Sequence, residues 1–102
     1  MASRLDLHEE LCAILGSRNV YFQPPEKQLM QYPCIRYSLA GIDQKFADDR
    51  TYSRTNRYEI TVLEKQSDSV IHEAIMDHFE MCNFDRSYVA DNLYHKVLIL
   101  YY

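Results

Sequence analysis

The stretch Arg57-Tyr58-Glu59-Ile60-Thr61-Val62-Leu63 decides the architecture. Tyr58, Ile60 and Val62 alternate with Arg57, Glu59 and Thr61, the period of two expected of a strand with one dry face and one wet face. Ile35, Tyr37 and Leu39 alternate in the same way with Arg36, Ser38 and Ala40, which predicts a second strand running to about Ile42. Half-buried strands of this kind belong to antiparallel sheets, whereas parallel strands, covered on both faces, read as continuous apolar runs. Between the two lies Asp43 to Asn56, polar, charged and too long for a tight hairpin turn. The pattern leaves three forms open for it: an extended arm, a flexible loop, or two long strand ends.

Outward from this pair, Val20 to Gln23 is a short β-prone run stopped by Pro24 and Pro25, whose missing donors place it at or near a sheet edge. Phe84 to Ala90 reads as a strand, Asp91-Asn92 as a turn, and Tyr94 to Tyr102 as a closing strand with Val97, Ile99 and Tyr101 on its inner face. Leu7, Leu11 and Ile14, with Leu15 beside them, form a helical stripe over Arg4 to Leu15, opened by Ser3 as N-cap and closed by Gly16. Val70, Ile71, Ala74, Ile75 and Phe79 recur at spacings of three and four, predicting a second helix from about Ser69 to Met81, with Ser67, Asp68 and Ser69 as candidate caps. The expected fold is one α+β domain over residues 1–102, in the order α-β-β-β-α-β-β. It is a mostly antiparallel sheet with both helices on one face and a long polar loop or arm at 43–56. Leu11, Ile14, Ile35, Tyr37, Ile60, Val62, Ile75, Phe79, Val97 and Ile99 are the expected core.

At 102 residues the chain has the size of a single domain, and its 47% apolar and 25% charged content argues for folding rather than disorder. Nine Tyr with no Trp favour half-buried sheet positions and protein interfaces. A net charge of -4 works against general binding to nucleic-acid phosphates. No apolar run approaches the roughly 20 residues of a membrane-spanning helix, and Met1 to Glu10 is charged rather than signal-like, so no membrane association and a reducing cytoplasm are expected. Cys12, Cys34 and Cys82 are odd in number and contain no CxxC pair, which points to plain core or near-surface thiols.

Catalytic patterns are sparse. His72 and His78 stand six residues apart, off each other's helical face, and HExxH is missing. With Gly16 and Gly41 as the only glycines, neither GxSxG nor a Gly-rich phosphate loop can be written. Cys34 or Cys82 could be combined with His95 or His78 as a nucleophilic pair, but nothing local marks either thiol as activated. Carboxylates from Asp43 to Asp91 could in principle hold divalent ions for nuclease chemistry, yet they scatter over loops and helix ends. The chain therefore reads as a non-enzyme with no cofactor and no metal.

Five pieces in fixed order carry a resemblance: YPCIRY at Tyr32 to Tyr37, ADDRTY at Ala47 to Tyr52, RYEITVL at Arg57 to Leu63, the Ser/Asp caps before the second helix, and DNLYH at Asp91 to His95. Together they resemble the small tail-terminator, or tail-completion, proteins that join head to tail in long-tailed bacteriophages. The resemblance implies a structural protein of viral tail assembly, a homo-oligomeric and usually hexameric ring. Such a ring caps the finished tube of major tail protein, then docks a head-completion or stopper protein. DNA would cross its channel without specific binding, and the protein would be made in the host cytoplasm and end in the virion at the head-proximal end of the tail. Asp48, Asp49, Arg50, Tyr52 and Arg54 are the candidate contacts to a neighbouring subunit or to the tube. Another head-tail connector or neck component would fit the same logic; a small metal-dependent nuclease is the alternative of a different class.

Overall fold

The computed structural model describes residues 4–24, 32–47, 50–65, 70–90 and 92–102. Helix α1 (Arg4–Leu15) is followed by strands β1 (Val20–Phe22), β2 (Cys34–Ala47) and β3 (Arg50–Glu64), helix α2 (Ile71–His78), and strands β4 (Cys82–Ala90) and β5 (Leu93–Tyr101). The five strands form one sheet in the order β1-β2-β3-β5-β4. β1 runs parallel to β2, pairing Val20 with Ile35, and the other three pairings are antiparallel. The fold is α+β, as the alternation and the helical stripes imply.

Both helices cover one face of the sheet. Leu7, Leu11 and Cys12 of α1 and Ile75 of α2 pack with Phe79 against Val20, Ile35, Tyr37, Tyr58, Ile60, Val62, Leu98 and Leu100 in one buried cluster, which Ile14 and Leu15 join half-buried. α1 ends where expected: the N–H of Gly16, at φ 80°, donates to the Cys12 carbonyl at 2.9 Å, a left-handed stop that glycine adopts without strain. β4 and β5 meet at the Ala90↔Leu93 pair, and Asn92 takes a positive φ of 62°, as a two-residue hairpin connection demands.

Two expectations need correction. The inner face of β5 is carried by Leu98 and Leu100, not by Ile99: Leu98 stands opposite Ile60, Leu100 opposite Tyr58, and Ile99 opposite Glu59 on the other side. Val97 is buried as expected, but on the face away from the helices, opposite Thr61. Helix α2 is shorter than its apolar pattern, ending at His78 because Phe79 is already extended and the Met81 carbonyl accepts from the Tyr101 N–H. Its N-cap position is Val70, with no side-chain cap, while Ser67, Asp68 and Ser69 lie outside the described residues, as does Ser3. Of the three forms left open for the polar segment 43–56, the described residues take that of two long strand ends: β2 runs on to Ala47 and β3 begins at Arg50, paired with each other at Ala47↔Arg50.

Candidate interaction surfaces

The distal parts of β2 and β3 make a two-stranded ribbon. β1 accompanies β2 only from Ile35 to Tyr37, and β5 accompanies β3 only from Arg57 to Glu64, so the pairing from Ile42↔Asn56 to Ala47↔Arg50 stands outside the five-stranded sheet. At about 3.4 Å per residue the ribbon reaches roughly 20 Å past its neighbours, in a chain whose longest dimension is 50 Å against 28 and 24 Å across. Its strands slip register between Leu39 and Gly41 and between Lys45 and Phe46. At the first slip the Arg57 guanidinium lies against the Gly41 backbone, where a Cβ would stand 2.6 Å from its Nη2 and would have to displace that side chain.

Three of the five candidate contact residues lie on this ribbon. Arg50 pairs with Ala47 and Arg54 with Gln44, and Tyr52 sits at the second register slip. Asp48 and Asp49 lie outside the described residues.

The sheet face without helices is covered by its own long side chains. Tyr88 of β4 stacks on His95 of β5, ring centroids 4.6 Å apart at 14°, and the Arg86 guanidinium lies 5.9 Å over the Tyr88 ring. Arg86 also approaches Glu59 of β3 at 3.6 Å and hydrogen-bonds Asp85. His95 donates from Nδ1 to the Leu93 carbonyl at 3.1 Å. Toward the start of β2, Cys34, Leu63 and Leu93 are buried under Tyr21 and Tyr32. A shallow open depression of about 360 Å³ lies beside them, lined by Gln23, Pro24, Arg36, Ser38, Glu59 and Thr61 among others.

Two polar clusters fasten the helices to the sheet. Tyr37 is 1% exposed, and its hydroxyl is fully satisfied: it donates to Nδ1 of His8 at 2.7 Å and accepts from Nη1 of Arg4 at 3.3 Å. That arrangement needs a neutral His8, and burial, with Arg18 and Arg4 nearby, lowers the His8 pKa accordingly. At the other end, the Tyr102 hydroxyl donates to Oε2 of Glu10 at 2.6 Å while Nε2 of His78 meets Oε1 of the same carboxylate at 3.2 Å. One carboxylate thus ties α1, α2 and the last residue of β5's extension together. Sequence reasoning missed this latch because Glu10 and Tyr102 are 92 positions apart.

Burial, and then the Glu10 carboxylate that accepts its proton and repels its anion, push the Tyr102 phenol up to about 12 from an ordinary 10. Because the folded value is the higher one, the stabilisation is complete below pH 10 and is lost as pH rises through about 12. An absorbance titration of tyrosinate should show Tyr102 ionising late, beside Tyr37, whose phenol burial also raises, and Glu10→Gln should bring the Tyr102 component alone back toward the others. Superimposable curves for the two proteins would refute the latch.

The chemistry available elsewhere is slight. Burial pushes the Cys34 thiol up to about 11 and raises Cys12 and Cys82 as well, which suppresses thiolate at neutral pH. Among the described residues no three His, Cys, Asp or Glu side chains converge as a metal site, and no helix is long and apolar enough to cross a membrane. No family model and no curated protein matches this chain.

Proposed function

We propose that the chain is a structural protein of bacteriophage assembly, a tail terminator that closes the finished tail tube as a ring, six-fold in the usual case, and offers the surface on which the head docks. The ordered motifs from YPCIRY to DNLYH support the family reading. The single observation that carries the mechanism is the projecting β2–β3 ribbon, whose described residues include Ala47, Arg50, Thr51 and Tyr52 of the ADDRTY motif and run beyond the five-stranded part of the sheet. A ring needs two different patches per subunit, and a ribbon that leaves the domain supplies one. Its partners are further copies of itself, the tube protein below and a head-completion protein above; DNA crosses the channel. The role asks for no covalent chemistry, cofactor or metal.

The test is complementation with imaging. Disruption of the gene should leave DNA-filled heads and unjoined tails, and supplied, tagged protein should label the head-proximal tail end in electron micrographs. Label on another part of the particle, or joined particles without the protein, would overturn the reading.

A further inference from the structure

We propose that one copy receives the outer edge of the ribbon of a second copy along the free edge of β4, so that a single sheet runs across the subunit boundary. This rests on the ring reading above and names the two surfaces that would build it. β4 is the outermost strand on its side of the sheet, and Asn83 to Val89 are exposed throughout. On the opposite flank, cover of β2 ends where Gln23 caps it, the Gln23 N–H donating to the Tyr37 carbonyl and its Oε1 accepting from the Leu39 N–H at 3.2 Å. From there to Ala47 the outer edge of β2 has no strand beside it among the described residues. An isolated two-stranded ribbon is marginally stable in water, and a third strand supplies what it lacks.

The two edges match in side-chain placement. Leu39 (43% exposed) pairs across to Tyr58 and Ile42 (49%) to Asn56, both on the helix-bearing face. Phe84 (44%) and Val89 (63%) of β4 lie opposite Leu98 and Tyr94, again on the helix-bearing face. A sheet continued with the same face up joins these side chains, with half-exposed Tyr94, into one apolar stripe across the boundary. Neither edge carries the lysine excess or proline with which monomeric proteins blunt such strands. In β4 the charges Asp85 and Arg86 neutralise each other at a bulge, and Arg86 to Ala90 beyond it pair regularly. Because the edges are on opposite flanks of one subunit, the contact is head-to-tail, the kind that closes into a ring.

The experiment mixes two full-length proteins in a Cys82→Ser background, one carrying Ile42→Cys and the other Val89→Cys, at concentrations up to millimolar, with a short bismaleimide crosslinker. The mixture should give crosslinked mixed dimers well above either protein alone. Val89→Lys, an exposed change that leaves the fold intact, should weaken self-association at least about tenfold in sedimentation, and hydrogen exchange should show Arg86–Ala90 and Leu39–Phe46 gaining protection as concentration rises. Homodimers of the Val89→Cys protein in place of mixed dimers would overturn the proposal in favour of a symmetric β4–β4 contact. A chain that stays monomeric with both edges exchanging freely would overturn it too, and would leave the tail role to its own test by labelling. Conversely, mixed dimers from a protein that labels no tails would retain the contact and discard the tail role.

Discussion

Leu98→Ala should lower stability by about 2 to 5 kcal/mol, the range for removing a fully buried leucine side chain and leaving a cavity, whereas Ile99→Ala, one residue on, should cost no more than about 1 kcal/mol. Leu98 has no exposed surface and stands opposite Ile60 beneath the helices, while Ile99 is half-buried on the far face opposite Glu59. A domain of this size holds about 5–15 kcal/mol in total, so the first substitution removes a large share and should shift the melting temperature by more than about 10 °C. Ile60→Ala should match it, since that side chain fills the facing position on β3. Denaturant midpoints separate the two predictions cleanly. Equal losses at 98 and 99, or a larger loss at 99, would show the phase of β5 to be the reverse of that described.

The phase of β5 illustrates where sequence patterns lose information. Tyr58, Ile60 and Val62 are assigned at sight because charged or polar residues separate them. From Val97 to Tyr102 every residue is apolar or aromatic, so parity alone cannot tell which set meets the helices. The tie is broken by register with β3, a long-range fact, and by burial on both faces at this point: Val97 is as deeply covered as Leu98. The α1 boundary was legible for the opposite reason, since Gly16 is one of only two glycines and its left-handed conformation is local.

The ribbon was harder still. Residues 43–56 read as polar and unpatterned, and without an apolar set the period of two is not visible in the sequence. The form of the segment around ADDRTY follows from the pairing of β3 with β2, which is not a local signal. The latch of Glu10, His78 and Tyr102 had no local signature at all. Its members come from two helices and the end of the chain, and only the packed fold brings them within hydrogen-bond distance.

If the chain closes the tail tube as proposed, Asp48→Lys, Asp49→Lys and Arg50→Glu together should leave folding intact and abolish the head-tail joint. Asp48 and Asp49 follow the last residue of β2 in sequence, Arg50 opens β3, and none of the three belongs to the core cluster of Leu7, Leu11, Ile60 and Leu98. Surface substitutions of this kind usually cost under about 0.5 kcal/mol each, so the far-ultraviolet spectrum and the melting temperature should be nearly those of the native chain. Assembly is a different matter. Charge at an interface fixes register and excludes wrong partners more than it adds affinity, and placing like charges against one another costs several kcal/mol, enough to empty a contact of ordinary strength. Particles carrying the triple variant should therefore accumulate as full heads and separate tails, while a charge-conserving variant with Asp48→Glu, Asp49→Glu and Arg50→Lys should assemble. Normal yields of infectious particles from the reversed variant would show that the tip touches neither a neighbouring subunit nor the tube. The β4 edge contact, which uses Leu39 to Ala47 rather than the tip, would then have to carry ring closure by itself.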